Sequence, residues 1–167
     1  LRSLVGSEMC IRDRSRDDVQ SLRANYDAIV TGGNTVRDDN PRMNARVSYD
    51  VNQPRRIVIT REKNWDMKMN FFRDNNFEIV NSCQLDEFIK SFQDRDTCSL
   101  LIEAGPKLVN SFLDAGLCDQ FVIYKSNRDL GQNSVPWFEN KNALIKKGFK
   151  LKARSYIESD VKEVYTI

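Results

Sequence analysis

The sequence predicts a single α/β domain whose mostly parallel sheet ends in an antiparallel hairpin. Short strand-like runs at 28–30, 56–60, 77–80, 99–103 and 120–124 alternate with stretches whose apolar residues recur at spacings of three and four. The run 99–103 is almost continuously apolar, as expected of a strand covered on both faces. The last segment changes period. Residues 149–157 alternate apolar with polar, Glu158, Ser159 and Asp160 offer a turn, and 161–167 is again strand-like. Strand and helix alternating first, with a hairpin last, imply parallel strands beside an antiparallel edge. A length of 167 residues fits one such domain, with no repeat or linker to divide it.

The elements follow in order. Ser15 is placed to cap a helix reaching about Asn25, with Asp17 and Asp18 at the positive end of its dipole. Val19, Leu22 and Tyr26 form its apolar face. The strand 28–30 is broken by Thr31, Gly32, Gly33 and Asn34. Residues 35–38 form one helical turn that stops before Asn40-Pro41, because a residue preceding proline avoids the α region. Pro54 leads into strand 56–60, and residues 64–76 carry a weak pattern. After strand 77–80, a helix over 85–92 puts Leu85, Phe88, Ile89 and Phe92 on one side. Gly105-Pro106 then turns the chain into a helix carrying Leu108, Val109, Phe112 and Leu113, with Gly116 as its stop. Residues 1–14 read as adapter- or cloning-derived sequence joined to a natural frame, so the expected domain is 15–167.

Composition excludes several classes of function. A net charge of +2 with mixed signs is too little basic excess to point to a nucleic-acid partner. No apolar run approaches the ~18 residues of a membrane span. The four cysteines (Cys10, Cys83, Cys98 and Cys118) form no C-x-x-C pair and fit reduced thiols in a cytoplasmic chain. The chain has no histidine, which rules out Ser-His-Asp and Cys-His catalysis and any imidazole metal site. Proton transfer falls to Asp, Glu, Lys, Tyr, Cys or water.

Three places are candidates for chemistry. At Glu103-Ala104-Gly105-Pro106, a buried strand meets a helix whose first position suits proline. The amides of Lys107, Leu108 and Val109 are left to favour an anion, and Gly105 admits close approach. The second place is 31–35, where two glycines and Thr35 follow another strand. It is neither G-x-G-x-x-G nor a Walker loop. The third is 38–41 followed by Arg46, with Arg23 on the preceding helix; two converging arginines suit a phosphate. Each also has an ordinary structural reading, as a tight turn or as surface arginines paired with carboxylates. The residues alone give an α/β domain with two candidate anion-binding turns.

Taken together, 18–24 (DVQSLRA), 27–36 (DAIVTGGNTV), 38–46 (DDNPRMNAR), 54–59 (PRRIVI), 101–108 (LIEAGPKL) and 112–120 (FLDAGLCDQ) occur in the order and spacing of a known family. The chain resembles the reductase domain of the bifunctional riboflavin-biosynthesis proteins RibD, from about Ser15 to Gly131. The resemblance implies a three-layer dihydrofolate-reductase-like fold. It also implies NADPH-dependent reduction of the ribosyl C1′ of 5-amino-6-(5-phosphoribosylamino)uracil to the ribitylamino product. By similarity, Thr35 and Asp39 contact NADPH, and Gly105, Pro106, Lys107, Leu108, Val109, Asn110 and Ser111 cradle its phosphates. Arg23, Met43 and Arg46 contact the phosphorylated pyrimidine, and Glu103 binds it close to the reacting centre. A homodimer is expected, with a deaminase domain either fused or separate.

Three departures from the family pattern stand out. The family's opening strand, with its Ser-hydrophobic-Asp-Gly motif and the Trp-Ile-Thr segment after it, has no counterpart, so the domain is expected to lack its first strand. Asn127 stands where proline is usual, and Arg61 where a small hydroxyl residue approaches the cofactor. The family's deaminase zinc site needs His-x-Glu and Pro-Cys-x-x-Cys, which this chain lacks. The alternatives are a related pterin or pyrimidine reductase of the same fold, or an inactive binding or assembly domain.

Overall fold

Two apolar faces of one sheet, each needing cover, set the architecture. The computed structural model describes residues 2–5, 13–81, 84–92, 97–126 and 141–167; Cys10, Cys83, Asn127 and Gly131 lie outside them. In chain order the elements are β1 (Arg2–Val5), α1 (Asp13–Ala24), β2 (Ala28–Gly32), α2 (Gly33–Asp39), β3 (Arg55–Thr60) and a 3₁₀ turn (Asn70–Phe72). They continue with β4 (Phe77–Asn81), α3 (Leu85–Lys90), β5 (Leu100–Glu103), α4 (Pro106–Asp114), β6 (Gln120–Lys125), α5 (Lys141–Lys146), β7 (Lys150–Ile157) and β8 (Asp160–Thr166). The strands form one eight-stranded sheet in the order β4-β3-β2-β5-β1-β6-β8-β7. β1 to β6 pair in parallel, while β8 runs antiparallel to β6 and to β7.

Successive strand residues point to opposite faces. Ala28, Val30, Ile57, Leu100, Ile102, Phe121 and Ile123 pack against one helical layer, supplied by Phe88 of α3, by Val109, Phe112 and Leu113 of α4, and by Leu144 of α5. Ile29, Val58, Leu101, Val122 and Tyr124 pack on the other side with Val19 of α1, Val36 of α2 and Met43, Phe71 and Phe72. This is the three-layer arrangement that the resemblance implies, around the mostly parallel sheet that the strand-helix alternation predicts. The closing hairpin turns at Glu158, and Gly116 (φ 68) ends the α4 segment with its amide on the Leu113 carbonyl. Among the described residues no helix is long and apolar enough to cross a membrane.

The structure corrects the sequence reading at several points. Arg2–Val5 form a strand, so the sheet has no gap where a missing first strand was expected. β1 lies between β5 and β6, pairing Leu4 with both Glu103 and Val122. A gap there would leave two facing rows of peptide groups without partners, and four extended residues suffice to fill it. Ser15 does not cap α1, which begins at Asp13; it lies inside the helix, fully buried, and donates to Asp160 Oδ2 at 2.7 Å. α2 is longer than one turn and ends at Asn40, whose left-handed φ of 44 precedes Pro41. The 3₁₀ turn and α5 had no legible period.

Candidate active site

β2 and β5 are neighbours, but the chain leaves them in opposite directions. From β2 it passes through α2 on one face of the sheet to β3; from β5 it passes through α4 on the other face to β6. Such a divergence opens a crevice at the carboxyl ends of the two strands, where α/β sheets bind ligands. Both candidate turns lie at its mouth. Their proximity is direct, because a Cβ on Gly32 would stand 3.8 Å from Leu108 Cδ2.

Each turn starts its helix with a glycine. Gly32 caps α2 and Gly105 caps α4, neither with a side-chain hydrogen bond, and Pro106 takes the first position of α4. The first-turn amides of α4 therefore meet no side-chain oxygen of their own cap. Gly105 is exposed, and a Cβ there would meet nothing within 4 Å, so the space before these amides is open. Gly33 is the opposite case. A Cβ on it would fall 2.5 Å from Thr60 Oγ1, so only glycine lets α2 start this close to β3. Thr35 is half-buried in the first turn of α2, and Asp39 is exposed at its end. Lys107 and Ser111 are exposed on α4, Leu108 and Asn110 are half-buried, and Val109 is buried in the core.

The other predicted residues gather on the α1 face. Arg23 donates from Nε to Glu103 Oε2 at 2.9 Å and from a terminal nitrogen to Oε1. This fork is buried, with the two side chains 3% and 10% exposed. Arg23 is thus committed to Glu103, while Arg46 remains exposed. Asn44 joins them: its carbonyl accepts from Arg23 at 3.4 Å and its Oδ1 from Arg46 at 3.1 Å. The Arg46 amide donates to Gln20 Oε1 of α1 at 3.0 Å. Met43 is buried with a φ of 48, and this unusual conformation bends the loop under α1. Arg61 is exposed just past β3.

The sequence reading gave Asp18, Asn44, Tyr124 and Lys162 no place in the site. The Tyr124 hydroxyl donates to Asp18 Oδ2, and Lys162 Nζ donates to the same oxygen at 2.6 Å. Burial pushes the Tyr124 phenol well above its usual range, and the Asp18 acceptor and the Glu103 charge add to it. Tyr124 is therefore a neutral donor throughout the working pH range. The only advance signal was a tyrosine at a strand position pointing inward. Among the described residues no group of three His, Cys, Asp or Glu could hold a metal ion. A polar cavity of about 500 Å³ opens at the other end of the strands, lined by Asp27, Gln53, Arg55 and Asn76 among others. It lies at the amino ends of the strands, away from both helix starts and from the Arg23–Glu103 pair.

Comparison with known proteins covers nearly the whole chain. RibD from Buchnera aphidicola is 26% identical over 200 residues, spanning 96% of this chain and 54% of that protein. The chain spans 38–54% of the length of the first curated relatives it matches. Among solved structures, RibD of Acinetobacter baumannii superposes with a TM-score of 0.82 at 21% identity, over 99% of this chain and 57% of that one. The deaminase/5-amino-6-(5-phosphoribosylamino)uracil reductase of Thermotoga maritima superposes with a TM-score of 0.78 at 20% identity, over 99% and 56%. The fold is dihydrofolate-reductase-like, as in these reductase domains. The model of the RibD C-terminal domain matches residues 3–161, running through β1, both glycine turns and the start of β8, and on that match the chain belongs to the RibD C-terminal domain family.

Proposed function

We propose that this chain is an NADPH-dependent 5-amino-6-(5-phosphoribosylamino)uracil reductase of riboflavin biosynthesis. The observation that carries the reading is the crevice between β2 and β5, where the open, glycine-capped start of α4 adjoins the diglycine turn. That cradle suits a dinucleotide diphosphate, since backbone amides and the helix dipole both favour an anion. The amides of Lys107 and Leu108 would hold the phosphates, with Thr35 and Asp39 on the other wall; the Ser111 hydroxyl would join them only by giving up its bond to the Lys107 carbonyl at 2.9 Å. When bound, the cofactor supplies hydride.

The chain's own residues orient the substrate and keep water out. Arg46, exposed beside Asn44, is the cation available for the substrate phosphate. Glu103, at the end of β5 and fixed in orientation by Arg23, presents its carboxylate edge to the substrate near the reacting carbon. None of these groups acts as a covalent nucleophile. Association as a homodimer belongs to the same reading; β7, exposed from Lys150 to Tyr156, is the open sheet edge it would cover.

The test offers the chain NADPH with the phosphoribosylamino-uracil and, separately, with dihydrofolate. Loss of NADPH absorbance with a product heavier by two hydrogens, from the uracil substrate alone, is expected. Turnover of dihydrofolate instead would move the chain to a related reductase. Absence of both turnover and NADPH binding would overturn the reading.

A further inference from the structure

Under α1, Asp18 has no part in the proposed reaction but takes two hydrogen bonds. The hydroxyl of Tyr124 on β6 and the ammonium of Lys162 on β8 both donate to its Oδ2. Tyr124 and Lys162 face each other across the β6–β8 ladder, and the ammonium lies 5.7 Å from the tyrosine ring centroid. The Asp18 and Lys162 side chains are only 32% and 18% exposed, so water screens them weakly.

Asp18 and Arg23 lie five residues apart on the same helix, about 140° around its axis. They therefore occupy opposite margins of the buried face. One margin is tied to β6 and β8 through Asp18, and the other to β5 through the fork on Glu103. A helix held along a single line can roll on a flat apolar sheet, whereas one held at both margins cannot. Ser15, bonded to Asp160 at the start of β8, fixes its height.

We propose that Asp18, gripped by Tyr124 and Lys162, is a positioning residue that sets the roll of α1 and thereby the geometry of the Arg23–Glu103 pair. Its consequence for turnover rests on the reading of Glu103 as the substrate's partner. Its consequence for the pair does not.

The experiment is a double-mutant cycle in the whole chain with Tyr124→Phe, which keeps the ring and removes one donor, and Arg23→Lys, which opens the fork but leaves the Glu103 charge in place. Both are scored by urea unfolding and by kinetics. In unfolding, the effects should fail to multiply, with coupling of about fivefold or more in the folding constant, although no direct bond joins the two side chains. In kinetics, Tyr124→Phe should lower kcat about tenfold and leave the KM for NADPH unchanged, and it should add little in an Arg23→Lys background. Asp18→Asn should behave as Tyr124→Phe does. Independent effects in unfolding overturn the clamp, even in a chain that turns nothing over. Coupled unfolding with independent kinetic losses reduces it to a purely structural tie, which also overturns the positioning role. An inactive chain with intact coupling counts against the reductase reading and for the clamp.

Discussion

The guanidinium of Arg23 and the carboxylate of Glu103 meet as a buried fork across 80 residues of sequence. Each neutralises the other where little water reaches, the Arg23 side chain being 3% and the Glu103 side chain 10% exposed. Removing one partner strands a charge in the interior, at a cost of about 3–5 kcal/mol, whereas replacing both with apolar residues is often near neutral. Arg23→Met should therefore destabilise the chain by about that amount, and Arg23→Met with Glu103→Leu should recover most of the loss. Urea midpoints of the two variants check this. A double variant no more stable than the single one would mean that the fork is not the dominant tie.

The two glycine turns make opposite predictions. At Gly33 a Cβ would sit 2.5 Å from Thr60 Oγ1, and that oxygen is held by the Glu62 amide at 3.0 Å and cannot easily move away. Gly33→Ala should cost about 1–3 kcal/mol and displace α2 along with Thr35. At Gly105 the backbone is ordinary (φ −66) and the surrounding space is open. Gly105→Leu should leave the fold within about 0.5 kcal/mol of the parent, apart from a small capping loss. Its side chain would nevertheless stand between the α4 amides and any diphosphate. Thermal midpoints paired with NADPH fluorescence titration separate the two cases. Unchanged NADPH affinity in Gly105→Leu would remove this turn from the cofactor site.

What the sequence made legible was local. Gly32-Gly33 and Gly105-Pro106 announce turns through the backbone freedom of glycine and the fixed φ of proline, and both stand where they were read. The strands 56–60 and 120–124 announce themselves through β-branched and aromatic residues. β1 did not, because four residues carry no period, and its place between β5 and β6 is set by strands about a hundred positions later. The polar contacts of α1 were equally hidden. Asp17 and Asp18 look alike beside a helix start, yet only Asp18 faces a tyrosine and a lysine, 106 and 144 residues away. Ser15 looked like a cap because capping is local, but its partner Asp160 is 145 residues off. Arg23 and Arg46 looked like a matched pair, and only the fold divides them into a committed arginine and an exposed one.

That division gives Arg46 a testable role. Its guanidinium touches Asn44 at the surface, while its backbone is fixed by Gln20. Arg46→Ala should leave stability nearly unchanged and remove one charge-assisted contact to a phosphate, worth about 1.5–3 kcal/mol. The KM for the phosphorylated substrate should rise about ten- to hundredfold, and that for NADPH should hold. Steady-state kinetics with each substrate varied in turn measure both. Equal rises in the two constants would argue against a substrate-phosphate contact.

The sheet also carries an acid-sensitive tie away from the site. Glu163 of β8 is 2% exposed. It accepts from Arg154 at 2.7 and 3.0 Å, from the Tyr165 hydroxyl at 2.8 Å, and from Lys125. Burial alone would push its carboxyl up, but the hydrogen bonds from Lys125, Tyr165 and Arg154 outweigh burial and lower it from 4.5 to about 2. A group depressed in the folded state stabilises the fold above its unfolded value and loses that contribution as pH falls through the folded one. The contribution, on the order of 3 kcal/mol, should be complete above pH 4.5 and fade toward pH 2. Glu163→Gln has no carboxyl to titrate, so the stability gap between parent and variant should be widest near neutral pH and shrink across that window. Urea unfolding of both chains at a series of pH values measures the gap. A gap that stayed constant from neutral pH down to pH 2 would show that Glu163 is held by packing and not by its charge.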